Sequence, residues 1–129
     1  MRLYLDSAPI IYLIENVQPY ASRLEEYLSP TDTIQVCSDL TRLECRVQPI
    51  ANGETALLAA FDRYFAGIIS EIIPLSREIL DLATVIRAEY RFKTPDAIHL
   101  AAATISECNA FVTNDKRLQN YRGIPVIVP

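Results

Sequence analysis

Residues 3–6 of the chain read LYLD, a short apolar run that ends at an acid. A run of this length, without alternation between apolar and polar residues, predicts a strand that is covered on both faces. The same pattern returns at residues 110–115, where AFVT is followed by Asn114 and Asp115. These two segments predict buried strands, each with an aspartate at or just beyond its carboxyl end.

Three further segments have the same short apolar character, at residues 33–37, 71–75 and 124–128. Stretches with helical features lie between the strands, at residues 9–16, 19–28, 39–50, 54–69, 77–90 and 94–107, with one helical turn at 116–120. The expected helix N-caps are Ser7, Ser38, Ser76 and Thr94. Strands that alternate with helices predict an α/β fold with a mostly parallel sheet of four to five strands. Because no linker or repeat interrupts the pattern, residues 1–129 are expected to form a single domain.

The composition excludes several classes of protein. Half of the 129 residues are hydrophobic, which is too many for a disordered segment. The longest apolar run covers only residues 8–14, far short of the ~20 that a membrane helix needs, and the first residues lack the apolar stretch of a signal peptide. One histidine and three cysteines without CxxC spacing argue against a zinc site or a disulfide framework. We therefore expect a cytoplasmic protein with no membrane partner, whose cysteines are small buried hydrophobic residues.

The charge is acidic overall but unevenly distributed. The net charge is −4, which by itself argues against a nucleic-acid partner. However, most of the twelve basic residues fall within ten positions of Glu44, Asp96 or Asp115. These neighbours are Arg42, Arg46, Arg87, Arg91, Lys93, Lys116, Arg117 and Arg122. Arginine has a planar fork that suits phosphate, whereas ordinary surface ion pairing is the simpler interpretation of any single one.

Four acids carry the chemical interpretation. Asp6 and Asp115 follow strands, Asp96 lies in the first turn of a helix, and Glu44 lies in a helix beside apolar residues. Each alone is more often structural, as a cap or as a favourable charge at a helix N-terminus. If they converge at the carboxyl edge of one sheet, they repel each other and need a cation between them. Oxygen ligands without a thiolate or histidine cluster favour Mg²⁺ or Mn²⁺, which can activate water for phosphodiester hydrolysis.

Four motifs in order resemble the PIN domain family, and within it the VapC-type toxins of toxin–antitoxin pairs. They are LDSAPIIYLIE at residues 5–15, SDLTRLE at 38–44, TPDAIHLAAA at 94–103 and FVTNDKRL at 111–118. The resemblance spans almost the whole chain. It implies a three-layer α/β/α sandwich and a divalent-metal endoribonuclease. It also implies a small antitoxin partner and a homodimer.

The resemblance assigns site residues by position. The catalytic and metal-binding acids fall on Asp6, Glu44, Asp96 and Asp115. Glu44 is expected to hold a water molecule or to act as general base. Thr113 matches a hydroxyl that supports the acids, Asn114 stands where some relatives have a further acid, and Ser7 follows Asp6 as a hydroxyl often does, although its simpler role is the helix cap.

For the other polar residues near these motifs, the sequence allows two roles. His99 lies one turn from Asp96, and a satisfied core histidine is favoured over a ligand or a phosphate contact. The residues that could contact RNA phosphates are Arg87, Arg91, Lys93 and Lys116. Their alternative is a solvated surface. The tyrosines of the first two helices, Tyr12, Tyr20 and Tyr27, are expected in exposed patches that bind a second copy or the antitoxin.

Three other functions compete with the nuclease. A PIN-like domain without activity could serve as a binding scaffold, although all four acids are present. A Mg²⁺-binding signalling receiver would need an aspartate after the third strand, where this chain has Pro74, Leu75 and Ser76. A structure-specific DNA nuclease would need additional helical segments for which 129 residues leave little room.

Overall fold

The computed structural model describes residues 1–129 and contains five strands and six α-helices. The strands are β1 (Arg2–Leu5), β2 (Ile34–Ser38), β3 (Glu71–Ile73), β4 (Ala110–Val112) and β5 (Val126–Ile127). The helices are α1 (Ser7–Ile14), α2 (Tyr20–Leu28), α3 (Asp39–Ala51), α4 (Thr55–Gly67), α5 (Arg77–Tyr90) and α6 (Thr94–Ile105). A 3₁₀ helix covers Lys116–Asn120. No helix is long and apolar enough to cross a membrane.

All five strands pair in parallel, in the order β3-β2-β1-β4-β5. The first strand is therefore central, with Leu3 aligned to Gln35 on one side and to Ala110 on the other. This order differs from the 2-1-3-4-5 order of flavodoxin-like folds, to which signalling receivers belong. The topology thus rejects the receiver alternative, and it places the ends of β1 and β4 side by side.

The two faces of the sheet bury separate apolar clusters, because successive strand side chains point to opposite faces. Tyr4 and Phe111 pack with α5 and α6 on one face. Leu5 and Val112 pack with α1 to α4 on the other. The result is the expected three-layer α/β/α sandwich. All three cysteines are buried and unpaired, as the composition predicts.

Several helix ends differ from the sequence prediction. The first helix begins at Ser7 instead of Pro9, because Asp6 caps it: Asp6 Oδ1 accepts from the Ser7 N–H at 2.8 Å. Ser7 is therefore the first helical residue and not the cap. Lys93, one residue before the expected Thr94, is the N-cap of α6. The Ser76 cap is confirmed, since its hydroxyl accepts from the Ile79 N–H at 3.2 Å.

The exposed apolar surface lies on other helices than expected. Tyr12 and Tyr20 stack on each other at 4.9 Å between ring centroids and are half-buried, as is Tyr27. These rings therefore pack partly within the chain, and an interface on the first two helices stays a prediction. Large apolar side chains are exposed instead along α3 and α5, at Leu43, Val47, Ile50, Leu80 and Val85.

Candidate active site

The four predicted acids line one cleft at the carboxyl edge of the sheet. Asp6 follows β1 and Asp115 lies three residues beyond the neighbouring β4, while Glu44 comes from α3 and Asp96 from the first turn of α6. The cleft has a volume of about 430 Å³. Its other lining residues are Ser7, Ala8, Thr113, Asn114, Lys116 and Arg117. Four carboxylates therefore share a small open space with only two basic side chains.

Asp6 is held rigidly at the base of the cleft. It is 8% exposed, and its backbone N–H donates to the Val112 carbonyl at 2.9 Å. One carboxylate oxygen accepts from Ser7, and the other accepts from the Thr113 hydroxyl at 2.8 Å. The Thr113 oxygen in turn accepts from the Asp115 N–H at 3.1 Å. Thr113 thus links the two strand-end acids, in line with the supporting role expected of it.

Glu44 reaches the cleft through a buried polar network. His99, which is 1% exposed on α6, lies with Nε2 at 2.5 Å from Glu44 Oε1 and 3.6 Å from Asp6 Oδ1. Its Nδ1 lies 2.7 Å from the hydroxyl of Tyr4. The Tyr4 hydroxyl donates to Ser38 Oγ at 2.8 Å, so its oxygen is free to accept from Nδ1. This arrangement accommodates a protonated imidazole, with one N–H directed to Tyr4 and the other to Glu44.

The pKa shifts agree with a charged Glu44–His99 pair. Burial alone would lower the pKa of His99, but the hydrogen bond to Glu44 and the charges of Asp6, Glu44 and Asp96 raise it. Burial alone would raise the pKa of Glu44, but the hydrogen bond and charge of His99, together with the Ser7 hydroxyl, lower it. The pair therefore stabilises both charges inside a region that disfavours each one separately.

Asp96 and Asp115 occupy opposite electrostatic situations. Asp96 is half-buried and its carboxylate accepts no hydrogen bond, so burial and the charges of Asp6 and Asp115 raise its pKa. Asp115 forms an ion pair with Arg117, whose Nη2 donates to Oδ2 at 2.5 Å and whose Nε donates to Oδ1 at 3.0 Å. This hydrogen bonding lowers the pKa of Asp115. Asp96 is the one acid of the cleft whose carboxylate accepts no hydrogen bond, and the charges of His99 and Arg117 offset only part of the shift.

The remaining predicted residues are divided between the cleft and other surfaces. Lys116 lines the cleft, and Asn114 lines it while its amide donates to the Tyr12 hydroxyl at 3.1 Å. Arg87 and Arg91 instead line a groove of about 670 Å³ beside α5 and α6. Lys93 lines neither, although its charge contributes to the lowered pKa of Asp115.

Sequence reasoning missed two contributors to the site, Tyr4 and Arg117, and left a third, His99, between a core role and a site role. His99 is a core histidine with both nitrogens satisfied, as favoured, but it is also the partner of Glu44. Its spacing of three residues from Asp96 on one helix was the available signal. Tyr4 could have been placed near the site from the alternation of side chains along a strand, because it shares a sheet face with Asp6 two residues later. Arg117 carried no signal beyond its proximity to Asp115.

The donor atoms fit a hard divalent cation. Ligand atoms of Asp6, Glu44 and His99 all lie within 4.8 Å of one another. Both nitrogens of His99 are already engaged, which leaves carboxylate oxygens as the free donors. Each oxygen of Asp6 accepts a single hydrogen bond, and Asp96 accepts none. Oxygen donors of this kind suit Mg²⁺ or Mn²⁺ rather than a thiophilic metal.

Comparisons with solved structures find the same fold in bacterial toxin–antitoxin proteins. VapBC2 from Rickettsia felis, bound to a DNA fragment from its promoter, superposes with a TM-score of 0.79 at 16% identity, over 98% of each chain. A toxin–antitoxin complex from Klebsiella pneumoniae gives 0.74 at 24% identity, over 98% of this chain and 96% of the other. VapC20 from Mycobacterium tuberculosis, described as a toxin that cleaves the sarcin-ricin loop, gives 0.66 at 12% identity, over 84% and 86%.

Comparison of the sequence with protein-family models identifies the family of the chain. No curated protein matches the chain. A family model described as the PIN domain matches residues 3–124, nearly the full length, and the matched region contains all four acids of the cleft. The chain belongs to the PIN domain family.

Proposed function

We propose that this protein is a divalent-metal-dependent endoribonuclease of the VapC type, the toxin of a toxin–antitoxin pair. The observation that carries the proposal is the convergence of four carboxylates in one cleft, with Asp96 left without a hydrogen-bond donor. An arrangement with this excess of negative charge favours binding of a divalent cation. The structural similarity to VapC20, described as a ribosomal-loop cleaving toxin, supports RNA as the substrate.

Each residue has a definite part in this proposal. Asp6 and Asp96 hold the cation, with Asp115 and Glu44 completing the set. Thr113 and Ser7 each donate a hydrogen bond to one oxygen of the Asp6 carboxylate, which fixes the orientation of its remaining lone pairs. Glu44, held by His99, can accept a proton from the attacking water through the oxygen that His99 does not occupy. The bound Mg²⁺ or Mn²⁺ would lower the pKa of water and stabilise the charge of the phosphodiester transition state.

Basic side chains are proposed to contact the RNA. Lys116 lies in the cleft, where it can meet a phosphate next to the cleaved bond. Arg87, Arg91 and Lys93 lie outside it and would meet phosphates further along the strand. Arg87 has a structural role as well, since its Nη1 donates to the Phe92 carbonyl at 2.6 Å.

The exposed apolar surface supports a proposal about where protein partners bind. Leu43, Val47 and Ile50 follow one another at spacings of four and three residues along α3, and each is more than half exposed. A stripe of this kind marks a protein interface. We propose that it contributes to contacts with a second copy or with the antitoxin, as expected for a toxin of this type.

The test is cleavage of RNA by purified wild-type protein, Asp6→Asn and Asp96→Asn. Wild type should cut a structured RNA in Mg²⁺ or Mn²⁺ and stop in EDTA, and both variants should lose at least about 100-fold in rate. Asp81→Asn is the matched control, because Asp81 is an exposed aspartate on α5 outside the cleft. It should cleave as fast as wild type.

Two results would contradict the proposal. Cleavage that persists in EDTA would mean that the acids do not act through a metal. Absence of cleavage by folded wild-type protein on any of a panel of ribosomal and transfer RNAs would favour the alternative of a binding scaffold without activity.

A further inference from the structure

The Asp115 carboxylate is the most heavily hydrogen-bonded acid of the cleft. Its Oδ1 accepts from the backbone N–H and from Nε of Arg117, both at 3.0 Å. Its Oδ2 accepts from Nη2 at 2.5 Å and lies 3.2 Å from the same Nε, whose single N–H is shared between the two oxygens. Three N–H donors, two of them from the guanidinium, therefore engage both oxygens of the carboxylate.

The other acids of the cleft differ from Asp115 in this respect. Asp6 accepts one hydrogen bond on each oxygen, Glu44 is held through a single oxygen, and Asp96 accepts none. A cation that enters the cleft therefore finds free donors on three acids. At Asp115 it meets the positive guanidinium of Arg117 in contact with both oxygens, so cation binding there favours displacement of that side chain.

Arg117 is placed to make such a move. Its side chain is 67% exposed, lies on a short 3₁₀ helix and hydrogen-bonds only to Asp115. The guanidinium has a planar pair of donors that fits phosphate as well as it fits a carboxylate. Since it lines the cleft, a phosphate brought there for cleavage lies within reach of the released side chain.

We propose that Arg117 exchanges partners during binding: it pairs with Asp115 in the free protein and with a substrate phosphate once a divalent cation takes Asp115. The inference rests on the proposed metal-dependent nuclease activity and adds a positioning residue to it. It makes the binding of cation and RNA cooperative, because each releases the Asp115–Arg117 pair for the other.

The first experiment measures Mn²⁺ binding without RNA by titration calorimetry. Arg117→Ala should bind Mn²⁺ about fivefold more tightly than wild type, the upper range for loss of an exposed ion pair. Arg117→Lys, which keeps the charge but not the fork, should also bind more tightly. Lys116→Ala is the matched control: it removes an equal charge from the same cleft without touching Asp115, and its affinity should stay within about twofold of wild type.

The second experiment measures RNA binding by fluorescence anisotropy of a labelled oligoribonucleotide. It is done in EDTA and in Ca²⁺, with a gel check that the strand stays intact. In wild type, Ca²⁺ should tighten RNA binding by a larger factor than in Arg117→Ala. A residue with only a structural role would not change this factor.

The outcomes separate the two proposals. If Arg117→Lys binds Mn²⁺ like wild type and Lys116→Ala equals Arg117→Ala, then Arg117 acts only through its charge and the exchange is wrong. If Ca²⁺ tightens RNA binding by the same factor in wild type and in Arg117→Ala, the exchange is also wrong. If wild type and all variants fail to bind Mn²⁺, both the exchange and the proposed metal site fall.

Discussion

The acid cleft has a buried side and a rim, and the two compensate negative charge by different means. On the buried side, Glu44 pairs with His99, which is 1% exposed and linked through Tyr4 to Ser38. On the rim, Asp115 pairs with Arg117, which is 67% exposed. The buried pair joins α3 and α6 across the end of the sheet, whereas the rim pair joins two residues of one short segment.

The difference in exposure between His99 and Arg117 determines how each pair responds when a partner is lost. His99 is buried and has no water to replace a missing partner, so loss of the Glu44–His99 contact is costly on the His99 side. An exposed pair can open with little change in free energy, because water solvates both charges. The buried side is thus suited to hold a catalytic group in one position, and the rim is suited to change with the ligand.

The largest expected effect is the loss of stability in His99→Leu. The variant leaves the Glu44 carboxylate without its cation and the Tyr4 hydroxyl without one of its partners. We expect the free energy of unfolding to fall by about 2 kcal/mol, measured by urea denaturation in EDTA. Arg117→Ala, measured alongside, should unfold like wild type. Equal midpoints for His99→Leu and wild type would remove the distinction between the buried side and the rim.

A smaller effect is expected from Tyr4→Phe, which isolates one hydrogen bond of the network. The ring keeps its stacking on Phe111, whose centroid lies 5.4 Å away, while His99 Nδ1 loses its partner. We expect a loss of about 1 kcal/mol in the same measurement. Tyr20→Phe is the control, since Tyr20 also stacks on an aromatic ring but its hydroxyl makes no hydrogen bond. If the two variants lose equally, the network adds nothing to the ring packing.

Most of the fold could be predicted because local signals agree with one another. Helix α5 was predicted with its observed ends, Arg77 and Tyr90, from the Ser76 cap. In the structure the C-cap of the helix is Arg91, whose backbone is left-handed at φ 62°. The start of α1 was missed because an acid that looked catalytic is also the cap. One side chain with two roles cannot be assigned to both from its position alone.

The acids of the site could be predicted, but their partners could not. Strand ends and the family resemblance indicate Asp6, Glu44, Asp96 and Asp115 without tertiary information. The partner of Glu44, His99, lies 55 residues away and depends on how α3 packs against α6. Val47 shows the limit of helical periodicity: it is apolar and lies three residues after Glu44, yet it is 56% exposed. The buried face of α3 is formed by Thr41, Cys45 and Pro49.

Glu44→Gln should show a stability loss that depends on pH. The lowered pKa of Glu44 stabilises the fold above its unfolded value of 4.5, and this contribution disappears as pH falls through the folded pKa. The raised pKa of His99 stabilises the fold below 6.5, and this contribution disappears as pH rises through the folded pKa. The difference between wild type and Glu44→Gln should therefore be largest between pH 4.5 and 6.5, at about 1 kcal/mol.

Urea denaturation across pH 3 to 9 measures this window. Glu25→Gln is the control, because Glu25 is exposed on α2 outside the cleft, and this variant should unfold like wild type. A flat profile for Glu44→Gln would mean that the pair is not charged in the folded protein.

The smallest effect, and the only one of opposite sign, is expected from Asp96→Asn. Burial and the charges of Asp6 and Asp115 raise the pKa of Asp96, so its ionised form destabilises the metal-free fold. This cost is fully present above the folded pKa and vanishes as pH falls toward the ordinary value of 3.8. In EDTA at pH 7, Asp96→Asn should therefore melt slightly above wild type, and the two melting curves should converge near pH 3.8. Added Mn²⁺ should raise the melting temperature of wild type more than that of the variant, because the same uncompensated charge that weakens the free protein attracts the cation. A variant that melts below wild type in EDTA would mean that Asp96 has a stabilising partner, and the cleft would then lack its one free acid.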